Sequence, residues 1–380
     1  MSQNDNTKNR RQFLKTAGFV GAAALVGACG QPSEEGATSA PPTSKARTAK
    51  KLKMVTTWPK NFPGMGVSAE RFAERVRLAT EGSVDIRVYA AGELVPALGA
   101  FDAVSQGKAD IYSGAEYYWQ GKSKAFNFFC TVPFGMTINE FSAWIYHDGG
   151  QELWDELSAG FNIKPFMGGS TGVQMGGWFR NEITSLEDFQ GLRMRMPGLG
   201  GEVITRMGGT TVTLAGGDIF LALSQGNIDA TEWVGPWNDL AFGFQDIAKY
   251  YYYPGIHEPG TAIGLGFNLE LWNSLSDFER IAIETCTMAE SVYTLAEYNA
   301  ENARALDILI NDYEVQLKKF PEDVLEAMAK HAKDVIEETA AGDELTGRIY
   351  ESFEASKART SRWSEISEGA YMDARGLLPK

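Results

Sequence analysis

The first residue in this chain whose chemistry demands a partner is an arginine set in an apolar stretch. Arg195 lies in the run Leu192-Arg193-Met194-Arg195-Met196. The run reads as a strand, with Arg193 and Arg195 on one face. Burying a guanidinium is costly unless it is paired. Its planar fork matches a carboxylate through two parallel hydrogen bonds. From the residues alone, an internal salt bridge and a bound carboxylate satisfy Arg195 equally well, and Arg193 is the solvated or structural alternative. Sites for small organic acids combine apolar walls with a few fixed polar groups. Tyr117 and Thr171 are the hydroxyl-bearing candidates for such polar groups. Trp58, Tyr117, Tyr118, Trp119, Trp233 and Trp237 are candidates for the walls, although most aromatics of this kind belong to lobe cores.

Catalytic chemistry has less support. The three histidines, His147, His257 and His331, lie in no zinc-protease, nucleophile-elbow or phosphate-loop motif. Glu232 and Glu258 can be drawn as an acid–base pair, with His257 beside Glu258. That arrangement is the sole basis for a metal-dependent hydrolase or lyase. The cysteines Cys29, Cys130 and Cys286 have no Cys or His at metal-binding spacing. Cys130 and Cys286 read as buried thiols, with a disulfide between them as the alternative.

The elements that must position these groups alternate. Residues 52–58 read as a strand stopped by Pro59, residues 66–80 as an amphipathic helix, and residues 83–89 as a half-buried strand. That order predicts an α/β fold with parallel pairing. Residues 162–167 and 174–180 read as strands joined through a glycine-rich loop at 168–172. An internal similarity points to two alike lobes. Ser-Gln-Gly-x-x-Asp occurs at 105–110 and again at 224–229, each time between a helix and a strand, with glycine placed to end the helix. Ligands of such sheets bind beyond the carboxyl ends of the strands. Past residue 275 the chain reads as helix over 277–315, 321–340 and 343–375. These helices are expected to buttress the lobes, to form part of the hinge, and to offer a surface for a homodimer.

Size and charge narrow the function. The chain has 380 residues and a formal net charge of −14, and about 150 residues per domain is a usable guide. Two globular units therefore fit. The first 28 residues carry a net +3, which leaves −17 on the remainder. So acidic a surface argues against nucleic acid or anionic lipid as a partner. The N-terminus reads Asn9-Arg10-Arg11-Gln12-Phe13-Leu14-Lys15 before an apolar run from Ala17 to Ala28. This is the pattern of a twin-arginine signal peptide, too short to span a membrane permanently. Cys29 follows small residues, as at a lipoprotein cleavage site, so lipidation at Cys29 and plain cleavage are the two alternatives. The polar, proline-containing residues 29–50 read as a tether. The expected plan is thus a leader (1–28), a tether (29–50), two lobes over 51–275, and a mostly helical region (276–380). The first lobe takes approximately 51–170 with part of 230–265, and the second takes 171–230 with the remainder.

Several motifs together carry a family resemblance. Leu186-x-Asp188-x-x-Gly191-x-Arg193-x-Arg195, Gly208-Gly209-x-x-Val212 and Leu223-x-x-Gly226-x-Ile228-Asp229 resemble the solute-binding proteins of tripartite ATP-independent periplasmic (TRAP) transporters. Residues 171–179, 232–239 and 257–260 resemble the branch that binds 2-keto acids and lactate. The resemblance covers about residues 52–375. It implies two α/β lobes closing on a hinge, a periplasmic location, TRAP membrane subunits as partners and no enzymatic activity. The family places its carboxylate-binding arginine at Arg195. Gln174, Glu232, Trp233 (through its carbonyl) and Glu258 look like the branch's cation set, and Gln174 and Trp233 also border the ligand. Oxygen donors suit Na⁺ or Ca²⁺ and not zinc. Ser170 departs from the branch, which often has Asn there, so the resemblance does not fix which acid is bound.

Overall fold

The structure is a computed structural model that describes residues 49–378; the expected leader, Cys29 and nearly all of the tether lie outside the described residues. The strands are β1 (Lys50–Thr56), β2 (Val84–Tyr89), β3 (Ile111–Gly114), β4 (Ile163–Gly172), β5 (Gly177–Phe179), β6 (Arg193–Arg195), β7 (Thr210–Val212), β8 (Ala230–Thr231), β9 (Tyr250–Tyr253), β10 (Thr261–Asn268) and β11 (Gln316–Lys319). They form two sheets, ordered β2-β1-β3-β10-β4 and β11-β9-β5-β8-β6-β7. The chain leaves the first sheet after β4 and returns to it between β9 and β10. It reaches β11 through the long helix Asp277–Asn311. Three segments therefore connect the lobes, the arrangement expected of a hinge.

The expected parallel pairing is only partly correct. β1 runs parallel to β2 and β3, and β6 runs parallel to β7 and β8. But β10 is antiparallel to both its neighbours, and so is β5. These two strands are entered from the other sheet and not through a helix packed on their own, so the geometry of a βαβ crossover does not apply to them. The glycine run expected as a loop is also different: β4 continues through Gly168 to Gly172 and pairs with β10. The reason is close approach, because a Cβ on Gly168 would sit 2.3 Å from the Leu265 side chain. β11, an exposed four-residue edge strand, was not expected; a segment that short shows no periodicity. Cys130 and Cys286 are both free and buried, so the disulfide alternative fails.

The internal similarity is a structural repeat. Helices Ala100–Ser105 and Gly216–Ser224 each end near a left-handed glycine, Gly107 (φ 70°) and Gly226 (φ 72°). Asp110 accepts the Lys53 backbone N–H at 2.6 Å, and Asp229 accepts the Arg193 backbone N–H at 3.1 Å. The return bonds match as well, from Asp110 N to Lys53 O (2.9 Å) and from Asp229 N to Arg193 O (2.7 Å). Each aspartate thereby locks a helix exit onto a strand of its own sheet, β1 in one lobe and β6 in the other.

The long helix starts in a capping box made by Ser276 and Glu279. It packs on β4, on the helix Met65–Ala79 and on the helix Pro236–Phe242. Buried Glu290 on this helix receives Arg71 at 2.6 Å and Arg75 at 3.1 Å. No helix among the described residues is long and apolar enough to cross a membrane. In the first sheet, a Cβ on Gly266 would lie 2.0 Å from the Tyr112 ring, which is itself fully buried. Gly266→Ala should therefore destabilise the protein by about 1–3 kcal/mol, the usual cost of overpacking. Urea unfolding measures this, and an unchanged midpoint would show that the strand can shift at no cost.

Candidate functional site

Arg195 closes β6 and has no solvent exposure. Its Nη1 donates to the Glu232 carboxylate and, at 3.2 Å, to the Glu232 backbone oxygen. Nε and Nη2 each donate to the Leu214 carbonyl at 3.3 Å, and Nη2 also reaches the Tyr118 hydroxyl at 3.3 Å. The guanidinium lies 5.1 Å from the Trp233 ring centroid. Burial is the largest influence on the Arg195 pKa and pushes it down, but the charge of Glu232 together with Tyr118, Tyr117 and Glu258 outweighs it, and the net shift is upward. Arg193, two residues earlier, pairs with Asp229 at the half-exposed rim. One strand thus carries one arginine at the surface and one into the interior.

Three loops meet beside Arg195. The segment after β4 brings Gln174, the segment after β8 brings Glu232 and Trp233, the segment between β9 and β10 brings His257 and Glu258, and the start of β10 brings Thr261. Backbone bonds fasten them together: Gln174 N to Glu258 O (3.1 Å), Gly255 N to Gln174 O (3.2 Å) and Met175 N to Val234 O (2.9 Å). The Gln174 amide N donates to Thr171 Oγ1 (3.1 Å) and Thr261 Oγ1 (3.2 Å), and Thr261 Oγ1 donates to Glu258 (2.5 Å). Carboxylate oxygens of Glu232 and Glu258 and an imidazole nitrogen of His257 lie within 4.8 Å of one another, all buried. His257 Nε2 stands 3.4 Å from Glu232 Oε2. Burial is the largest influence on the His257 pKa and lowers it, while the neighbouring Glu232 and Glu258 together outweigh it and the net shift is upward. Glu258 is pushed up to about 7, first by burial and then by the charge of Glu232.

Among the described residues, Gln174 Oε1, Glu232 Oε2, His257 Nε2 and Trp233 Nε1 have no hydrogen-bond partner although buried. Orphaned buried oxygens beside two carboxylates are what a hard cation would satisfy. The donor set therefore fits Na⁺ or Ca²⁺ coordination, with His257 as a nitrogen neighbour among the oxygens.

An enclosed cavity of about 10 Å³ adjoins this cluster, lined by Trp58, Met65, Tyr117, Tyr118, Thr171 and Trp233 among others. It has room for about one water. A larger groove, about 580 Å³, lies between residues 91–98 and 213–218 and includes Leu214, whose carbonyl Arg195 bonds; its lining lacks the carboxylate cluster. The sequence-selected residues Arg195, Tyr117, Thr171, Gln174, Glu232, Trp233 and Glu258 all converge on the enclosed region. Trp119 does not line the cavity and packs with Phe101 and Tyr112, while Trp237 packs on Tyr298. Sequence reasoning missed Tyr118 and Thr261 as polar contacts. Ser170 spends its hydroxyl on the backbone, donating to Thr261 O (2.9 Å) and accepting from Gly172 N (3.1 Å).

Two lobes with three connections, meeting over one buried arginine and a knot of oxygen donors, define a two-lobed periplasmic solute-binding protein. Residues 54–343 match the family described as bacterial extracellular solute-binding protein, family 7, and the chain belongs to that family, the solute-binding proteins of TRAP transporters. It is 38% identical over 362 residues, 95% of this chain and 97% of the relative, to a monocarboxylate 2-oxoacid-binding periplasmic protein of Nostoc. A TRAP solute-binding protein of Pseudoalteromonas atlantica with bound sodium and pyruvate matches at 36% identity and TM-score 0.83, over 86% of this chain and 99% of that one. One of Colwellia psychrerythraea with bound calcium and pyruvate matches at 38% identity and TM-score 0.83, over 86% and 100%.

Near the site, Glu116 is fully buried, accepts the Tyr112 hydroxyl at 2.7 Å, and has its other oxygen unpartnered among the described residues. Burial raises its pKa from 4.5 to about 8, against the pull of that hydrogen bond. Glu258 is raised in the same direction. A carboxyl raised on folding holds a proton that the unfolded chain releases. Its contribution to stability is complete below the unfolded pKa and is lost as pH rises through the folded one. The chelator-treated protein should therefore melt at progressively lower temperature from about pH 5 to about pH 8. Glu116→Gln should flatten that slope; an equally steep slope in the variant would remove Glu116 from the account.

Proposed function

We propose that the protein captures a small 2-oxo or 2-hydroxy monocarboxylate together with Na⁺ or Ca²⁺ and presents it to the membrane subunits of a TRAP importer. The observation that carries this reading is the fully buried Arg195 beside the unpartnered Gln174 Oε1 and Glu232 Oε2. Arg195 grips the ligand carboxylate through paired N–H donors. Gln174 Oε1, the Glu232 and Glu258 carboxylates and the Trp233 carbonyl hold the cation, which when bound supplies positive charge to the ligand's 2-oxo or 2-hydroxy oxygen. Tyr117 and Thr171 offer hydroxyls to the ligand. The apolar walls of Trp58, Met65 and Trp233 exclude water. Closure is a population shift driven by contacts made only in the closed state.

The chain acts as a receptor and not as an enzyme. Glu232 is engaged with Arg195 and is a poor general base. Conversion of pyruvate by the purified protein would overturn this. Export by the twin-arginine route and lipidation at Cys29 complete the reading, and labelling with a radioactive fatty acid in Cys29→Ser against wild type tests the anchor. The C-terminal arm exposes Trp363, Ile366, Tyr371 and Met372, an apolar surface that supports a homodimer through these helices. Light scattering should give twice the chain mass, and a monomer would exclude the dimer.

The central test is ligand-dependent melting against a panel of 2-oxo and 2-hydroxy acids, with cation and with chelator. At one hundred times its dissociation constant a ligand adds about 2.7 kcal/mol of stability. Arg195→Lys keeps a charge for Glu232 but loses the planar fork, and should weaken binding more than about tenfold, or about 1.4 kcal/mol. Wild-type affinity in that variant, or no response of wild type to any acid, would sink the reading.

A further inference from the structure

Asp239 is a buried carboxylate that no step above uses. It lies on the helix Pro236–Phe242 and is 1% exposed. One oxygen, Oδ2, accepts the Tyr251 hydroxyl at 2.6 Å and the Trp178 indole N–H at 3.0 Å. Those two rings are stacked, with centroids 4.1 Å apart, so the carboxylate is held from β5 and β9 together. The other oxygen, Oδ1, accepts the Val234 backbone N–H at 3.2 Å.

That N–H belongs to the same planar peptide unit as the Trp233 carbonyl. The plane is rigid, and N–H and C=O point in opposite directions across it. Fixing the Val234 N–H on Asp239 therefore fixes where the Trp233 oxygen points. A carboxylate acceptor also polarises the peptide and leaves more negative charge on that oxygen. The Val234 carbonyl is tied separately, by Met175 N at 2.9 Å. Both sides of the segment are thus held, and the Trp233 oxygen is left for a ligand.

We propose that Asp239 is the positioning residue for the Trp233 carbonyl as a cation donor, with Trp178 and Tyr251 orienting Asp239 in turn. This role rests on the reading of the Trp233 carbonyl as part of the cation site. Partners that orient metal ligands affect affinity by about 10–100-fold when replaced.

The experiment is titration of the purified, chelator-stripped protein with Tb³⁺, excited through its tryptophans, followed by displacement with Ca²⁺. Wild type should give saturable luminescence that Ca²⁺ removes. Asp239→Asn, of equal size, should bind Tb³⁺ at least about tenfold more weakly, with circular dichroism unchanged. Tyr251→Phe keeps the Val234 bond but frees the carboxylate to turn, and should weaken binding by about threefold, a fraction of the full effect. A folded Asp239→Asn with Tb³⁺ affinity within about twofold of wild type would overturn the positioning role and leave the cation site standing. If that variant does not fold, Tyr251→Phe decides, and unchanged affinity there overturns the proposal. No Tb³⁺ uptake by wild type would overturn the cation site itself, and this role with it.

Discussion

A guanidinium with no access to water has to be neutralised by its surroundings, and at Arg195 much of the second lobe is arranged to do so. Glu232 supplies the charge, the Leu214 and Glu232 carbonyls supply acceptors, and Tyr118 adds a hydroxyl from the first lobe. Removing both partners of an ion pair from water costs several kcal/mol per ion before their attraction offsets it. The pair is therefore a poor device for stability and a good one for exchange. On the proposed function, a ligand carboxylate would offer the same two acceptor oxygens as Glu232 and take its place on the fork. Glu232 has a second oxygen turned toward His257, so its charge would not be stranded.

The repeat between the lobes shows where this centre came into the fold. Counting from the matched Asp110 and Asp229 contacts, Lys53 corresponds to Arg193, and Val55 to Arg195. Likewise Ser113 corresponds to Glu232. The strand registers agree, with Val55 opposite Tyr112 and Arg195 opposite Thr231. In the first lobe these positions are an apolar residue buried in the core and a serine that accepts the Trp58 indole N–H at 3.0 Å. The second lobe carries a charged pair in the same places. The scaffold is shared, and the difference at two positions separates a plain core from the proposed recognition site.

Much of this was legible in the sequence because it follows from local rules. The helix beginning near residue 65, the repeated Ser-Gln-Gly-x-x-Asp and the demand of an arginine among apolar residues each involve a few neighbouring positions. What was hidden depends on distant chain segments. β4 runs through its glycines because Leu265 of β10 needs the space. β10 and β5 run antiparallel because the chain enters them from the other lobe. Tyr118 was passed over as a polar contact because a 3-10 turn at Glu116–Trp119 sends successive side chains in different directions. Tyr117 and Tyr118 both reach the cavity, while Trp119 goes to the core. Thr261 has no signature of its own; it matters because it bridges Gln174 and Glu258.

The distribution of polar groups also constrains the order of events on binding. Gln174, Glu232, Trp233, His257 and Glu258 sit on loops laced to one another by backbone bonds, and Glu232 N is bonded to Arg195 O at 3.2 Å. These bonds tie the groups into one block. Two of the three loops are themselves the crossings between lobes, so the charged centre lies at the hinge and needs no closure to assemble. From the segment after β1, the helix Met65–Ala79 and the segment after β3 come Trp58, Met65, Ala115, Tyr117 and Tyr118, mostly apolar surface with two hydroxyls, while the hinge-side ends of β4 and β10 add Thr171 and Thr261. On the proposed function, the oxygens of a small acid are recognised by the hinge-side block first. The first lobe then covers the ligand's carbon side. Specificity for the carboxylate and its neighbouring oxygen therefore resides in the rigid block, and discrimination by side-chain size resides in the lobe that moves.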